Sequence, residues 1–512
     1  MMTQPHGELK KILMPQSPGR LKEGPRLKKR WIRVISFFLF LPMLGVLPLS
    51  ASAEAAQITV DEKTAYQTLA SFGASGCWWS QYMGLWDEPY GSMGKTAREQ
   101  LALLLYDRNF GIGLTNYRYN LGAGSADSGN GVYEDIHRRA QSFETAPGEY
   151  DWSKDEGAVW FLNEVTRLGV QEVVLFCNSP LERLTINGTA QMIKGQSKSN
   201  IAKENYAAWA AYCCDVAEHF IEMGVPVKFI SPINEPQWDW YAGNQEGCHY
   251  EPTQIAGVYL AFLEELEKRP ALQGVELSGP ESGEWGGQTV KYVSAILNTA
   301  KLEAHFTAVD CHSYWSDKQS KISFMNWMKV QHPDKKIRMS EWCEMVNGTD
   351  TGMDSAIVLA KTLAEDLTVL NAVSWSCWVG ISPGGYHDGL IHAAQNGLNQ
   401  ISIVPLKRLW AFGNYSRYIR PGFTRVEVTG GEKYSAVAFQ GEEYGKKKLV
   451  VVLVNESAEE QDIKLNGSFG DFESIVAYET SASRDLVKIA ERVSNTAFTL
   501  APRSVTTIVF SE

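Results

Sequence analysis

Two short stretches of this sequence place a carboxylate where it could do chemistry. An apolar run, Phe229-Ile230-Ser231-Pro232-Ile233, ends in Asn234-Glu235-Pro236, and a second run, Ile337-Arg338-Met339-Ser340, ends in Glu341-Trp342. A carboxyl group just past a strand stands at the mouth of whatever cleft the strands build. Two facing carboxyls can divide labour, one donating a proton while the other stays ionised toward an electron-poor carbon. Glycosidic cleavage through an oxocarbenium-like transition state needs such a pair. A separation of roughly 5–5.5 Å admits a covalent intermediate, and one of roughly 6.5–9.5 Å leaves room for a water and implies inversion. A lone glutamate after a strand is more simply a helix cap or half of an ion pair, so the pairing carries the argument.

Facing carboxylates require strands that end on one side of a common sheet. From residue 71 to about 420 the chain alternates short apolar runs with longer amphipathic stretches, the pattern of repeated βα units. Eight strands are expected, at 71–76, 113–120, 172–178, 227–234, 275–279, 308–312, 337–341 and 372–378. Helical periodicity lies between them, for example at 202–223, 253–268 and 354–370, with 406–418 after the last strand. This predicts an α/β fold, a (β/α)8 TIM barrel whose reacting groups stand at the C-terminal strand ends. After Pro421 alternating strands separated by turns, at 424–428, 434–439, 448–455, 474–480 and 504–510, predict an appended antiparallel β-sandwich. The organisation expected is a leader at 1–53, a catalytic barrel at 54–420 and a sandwich at 421–512; strand-like residues 57–61 are free to join the sandwich.

The leader is read from its layout. A basic stretch at 26–33 runs into an apolar segment at 34–49, broken by Pro42 and Pro48, and then into the small residues Ala51-Ser52-Ala53. That predicts a signal peptide and a secreted protein with no stable membrane insertion after cleavage. The chain carries a formal net charge of -11, and removing the basic leader makes the remainder more acidic, which argues against nucleic acid as a partner. The eight cysteines show no framework spacing and read as mostly buried thiols. No dinucleotide loop, nucleophile elbow, H-E-x-x-H, phosphate-binding loop or EF-hand is present. Sequons occur at Asn187, Asn347, Asn414, Asn455 and Asn466.

The two carboxylate motifs resemble those of the large (β/α)8 glycosidase clan. Phe72-Gly73-Ala74-Ser75-Gly76, Arg118-Tyr119-Asn120-Leu121-Gly122, Asn178-Ser179-Pro180 and Arg420-Pro421-Gly422 extend the resemblance to glycoside hydrolase family 30 over nearly the whole mature chain, most similar to its endo-β-1,6-galactanase-like branch. The chain departs from the family pattern at Leu181-Glu182-Arg183-Leu184, where a further proline and an aromatic are usual.

The resemblance implies a retaining glycosidase acting on a polysaccharide or oligosaccharide, without cofactor or essential metal. Glu235 would be the acid/base, protonated until attack and lacking a cationic partner, and Glu341 the nucleophile. Asn234 would bind the sugar 2-hydroxyl, and Arg118 would hold Glu341 ionised by lowering its pKa. His312 and Tyr314 would orient the nucleophile or contact sugar hydroxyls. Trp378 would form the platform under the sugar, with Trp375, Trp78, Trp79, Trp238 and Trp240 as further candidates. Open alternatives are a β-1,6-glucanase, a xylanase, a glucosylceramidase-like enzyme, or a carbohydrate-binding protein without catalysis.

Overall fold

The computed structural model describes residues 54–512 except 93, 129–134 and 242–243. The expected leader at 1–53 lies outside the described residues.

One sheet runs, by strand position, Glu276–Leu277, Val227–Ser231, Glu172–Phe176, Asn116–Asn120, Ser71–Ser75, Ser374–Cys377, Lys336–Trp342, Ala308–His312 and Pro280–Ser282, every neighbouring pair being parallel. The two end segments are consecutive pieces of one stretch, interrupted only at Ser278 and Gly279. The sheet therefore closes on itself as an eight-stranded barrel, with strand five in two pieces. Strand five runs past its expected end at residue 279 because Gly279-Pro280 breaks the pattern that sequence reading relies on. Amphipathic helices cover the outside, among them Tyr206–Glu222, Pro252–Glu267, Met353–Val369 and Lys407–Ser416.

The period of two along a strand decides what enters the lumen. On strand two, Tyr117 and Tyr119 turn outward, Tyr119 packing edge-on against helical Phe220, which leaves Asn116, Arg118 and Asn120 for the interior. On strand six, Asp310 and His312 share the inner face. Strand seven would by strict alternation put Arg338 and Ser340 inside and Glu341 outside. A register shift opposes His312 to Glu341 where Cys311 opposed Met339, so Ser340 and Glu341 both reach the lumen side. Irregularities of this kind re-aim a side chain at the rim of a barrel.

After strand eight the chain builds a feature with no counterpart among the expected strands, a three-stranded sheet of Val379–Ser382, Gly389–Gln395 and Ile401–Pro405 beside the barrel mouth.

The second large sheet has nine strands and includes Ala56–Thr68, which pairs antiparallel with Thr424–Thr429 and parallel with Gln461–Asn466. Its other pairs are antiparallel. Lys446–Asn455 shows why it holds: Leu449, Val451 and Leu453 enter the core formed with Ile463, Leu465, Phe498 and Leu500, while Val450, Val452 and Val454 join the barrel's core. Asn414 and Asn455, two of the sequons, are buried, and Asn414 exchanges hydrogen bonds with Thr507, so neither accepts a glycan in the folded chain. All eight cysteines are buried and free. No helix among the described residues is long and apolar enough to cross a membrane.

Candidate active site

Arg118 ties the lumen together. Its guanidinium lies over the Phe176 ring, donates through Nη1 to Glu341 Oε2 at 2.5 Å and through Nη2 to Asn234 Oδ1 at 2.9 Å, and stands 3.6 Å from Glu281 Oε2. Tyr314 donates its hydroxyl to Glu341 Oε1 at 3.0 Å, so both oxygens of that carboxylate are held. Between the two motif glutamates stands His312, with Nδ1 3.2 Å from Glu235 Oε1 and 3.4 Å from Glu341 Oε1. Its Nε2 faces Glu281 Oε2 at 3.1 Å. One atom from each of Glu235, His312 and Glu341 can be chosen so that all three lie within 4.8 Å of one another. His312 thus brings the two carboxyls close together, the arrangement that displacement through a covalent intermediate needs.

Glu281 is the residue that sequence reading missed. Fully buried, it accepts from Ser231 at 3.1 Å and Ser278 at 3.0 Å, and Ser340 donates to its other oxygen. Its backbone carbonyl accepts from the Glu235 amide at 2.9 Å. The signal was present, a carboxylate at a strand end like the other two, but it lies beyond the Gly279-Pro280 break. Below it, Arg338 pairs with Asp310 at 3.2 Å and covers the Phe229 ring.

The electrostatics follow from burial working against these partners. Burial alone would lower the pKa of His312, but Glu341, Glu235 and Glu281 overcome it and raise the imidazole to about 9. Burial alone would raise Glu281, but Arg118, His312 and Ser340 bring it to about 2. Glu341 corrects an expectation: its carboxyl lies above the ordinary carboxylate range, because burial and the charge of Glu235 outweigh His312 and Arg118. The expectation that Glu235 has no cationic partner fails as well, since His312 is one. Two buried cations thus face three carboxyls, and the cluster is neutral when the carboxyls share one proton. The Glu235, His312 and Glu341 atoms are close enough to hold a metal ion, but a protonated His312 has both nitrogens committed as donors and is itself the cation there.

Above the cluster opens a cavity of about 1060 Å³ lined by Asn234, Glu235, Tyr314, Glu341 and Trp378 together with residues of loops one, two, four, six, seven and eight. Arg118 and His312, grouped with the substrate-binding candidates, line no part of it; they are 2% and 0% exposed, and Arg118 lies beside Glu341 as expected while His312 faces the carboxyls rather than the cavity. Trp378 meets Trp78 edge to face at 5.3 Å. Trp375 is fully buried and donates to Asp366 at 2.9 Å, facing away from its neighbour as the strand period requires. Trp79 is buried, with its indole donating to Ser75, although its edge reaches the cavity. Trp240 donates to the Glu235 carbonyl at 3.1 Å. Loop three, where Leu181-Glu182-Arg183-Leu184 departs from the family pattern, contributes no lining residue. The three-stranded sheet supplies Ser382, Ala393, Ala394 and Gln395, none of them legible beforehand.

O-glycosyl hydrolase family 30 matches the chain over residues 55–392. An endo-β-1,6-galactanase from Hypocrea rufa is 24% identical over 444 residues, spanning 81% of this chain and 85% of that protein. Among solved structures, a conserved exported protein from Bacteroides fragilis shares 25% identity and a TM-score of 0.77, covering 88% of this chain and 99% of that one. The catalytic domain of a family 30 xylanase C from Talaromyces cellulolyticus shares 19% identity and a TM-score of 0.70, covering 89% and 100%.

Proposed function

The chain belongs to glycoside hydrolase family 30 and is a retaining glycoside hydrolase, and from that premise we propose that it is a secreted endo-β-1,6-galactanase using Glu235 as acid/base and Glu341 as nucleophile. The observation that carries the roles is that both oxygens of the Glu341 carboxyl are held, one by Arg118 and one by Tyr314, while Glu235 faces His312.

Glu341 is the carboxylate with both oxygens held, one by Arg118 and one by Tyr314, which aims it at the anomeric carbon. As the acid, Glu235 donates a proton to the glycosidic oxygen as the carbon–oxygen bond breaks and a Glu341 oxygen bonds to that carbon. Glu235, now ionised, takes a proton from an entering water, which displaces Glu341 and restores the configuration. Asn234, fixed by Arg118, presents its amide to the sugar beside the nucleophile.

The Hypocrea rufa relative supports the galactan, and the layout of residues 1–53 with the exported Bacteroides fragilis protein supports secretion. The test is product release from β-1,6-galactan, arabinogalactan, β-1,6-glucan and xylan, with wild type and Glu341→Gln side by side. Cleavage of the galactan, abolished by the substitution, is expected. Cleavage confined to glucan or xylan, or silence on every polymer, would overturn the galactanase reading.

A further inference from the structure

Trp238 and Trp315 are the two exposed tryptophans among the described residues, at 43% and 59%. Both line the cavity, and their rings meet at 5.4 Å and 77°, so the two faces form an open corner. Neither position is explained by stability. An indole left in water gives up most of what its burial would contribute. Trp315 also sits at a φ of 48°, a left-handed region that strains a bulky side chain.

The corner lies on the Glu235 side of the cluster. A methyl placed on Gly283 would stand 2.5 Å from Gln237, 2.9 Å from the Glu235 carboxyl and 3.5 Å from the Trp315 ring, so these groups converge on one spot. Gln237, with its amide oxygen turned toward them, accepts from Trp238 Nε1 at 3.0 Å and from the Gly283 amide at 2.9 Å, which fixes the Trp238 indole. The Trp78 and Trp378 pair stands elsewhere on the rim, on loop one and strand eight.

Glu235 must reach the oxygen between two sugars, so the departing sugar lies beyond it, away from Glu341. We propose that Trp238 and Trp315 form the subsite that holds the first sugar of the leaving chain, its C–H face stacked on one indole and its edge against the other. The inference rests on the galactanase reading for the identity of that sugar. It also gives the enzyme a grip on both sides of the scissile bond, as cleavage within a chain requires.

The test compares Trp315→Ala, Trp238→Ala and the double variant on two substrates. One is β-1,6-galactan; the other is a glycosyl fluoride with the same β-1,6-linked galactose residues on the glycone side, whose fluoride leaves the subsite empty. Each single variant should lose at least tenfold in kcat/KM on the polymer and the double variant more. Hydrolysis of the fluoride should stay within twofold, the melting temperature should hold, and Trp315→Tyr should recover part of the loss. Equal losses on both substrates, or none on either, would overturn the subsite and leave the galactanase reading in place. A wild type that cleaves neither overturns that reading and the occupant named with it.

Discussion

The charged cluster at the barrel mouth and residues 449–454 of the sandwich are equally well buried and chemically opposite. In the first, Arg118, Glu235, Glu281, His312 and Glu341 are at most 7% exposed, and Glu235 and Glu281 adopt left-handed backbone at φ 43° and 58°. In the second, Leu449 through Val454 are at most 1% exposed and every side chain is apolar. Burying a charge costs free energy that its partners only partly return, whereas burying an aliphatic chain contributes roughly 25 cal/mol per Å². The mouth therefore holds free energy as orientation and protonation, and the sandwich supplies the stability that tolerates it.

The sharpest way to break this comparison is Glu341→Gln. Turnover should fall by about 10⁴-fold or more, while the melting temperature stays level or rises because a buried charge is gone. A fall in melting temperature as large as that of a core deletion would refute the contrast.

Leu453→Ala should do the reverse. It removes aliphatic volume between the two layers and should lower unfolding stability by about 2–5 kcal/mol in denaturant titration, with kcat at 25 °C unchanged within about twofold, since the cavity is untouched.

Glu281→Gln sharpens the comparison inside the mouth. His312 loses one of its anions, so its pKa falls and the alkaline limb of kcat/KM moves to lower pH. A loss in kcat of about 10- to 100-fold with little change in KM fits a positioning residue. A purely structural role would leave the pH profile in place.

The smallest effect is the pH dependence of stability. His312 is raised from 6.5 to about 9, so its contribution is complete below pH 6.5 and is lost as pH climbs through 9. Glu281 is lowered from 4.5 to about 2, so its contribution is complete above pH 4.5 and is lost as pH falls through 2. Relative to His312→Asn, the wild type should lose a few degrees of melting temperature between pH 6.5 and 9. Parallel curves for the two proteins would show that the imidazole carries no such charge.

Local pattern made much of this legible. Eight βα repeats with carboxylates at two strand ends point to the barrel and to the proposed reacting pair, because hydrophobic period and strand polarity are local properties of the chain. The same period set Trp375 and Trp378 on different faces, while Arg118 was named through the family resemblance. The sandwich was legible where strands alternate cleanly. It was not at Gln461–Asn466, Arg484–Arg492 and Ala497–Leu500, which are short, charged or exposed along much of their length.

What the sequence by itself determined is the set of strand ends and the residue types they carry. Only the tertiary structure decided that Glu281 completes the cluster, that a register shift brings Glu341 round beside Ser340, and that His312 is a cation rather than a sugar contact. Each depends on groups from different strands meeting in a space closed to water. The charge of His312 comes from three carboxyls on three other segments, and the pKa of Glu341 from burial that no stretch of sequence records.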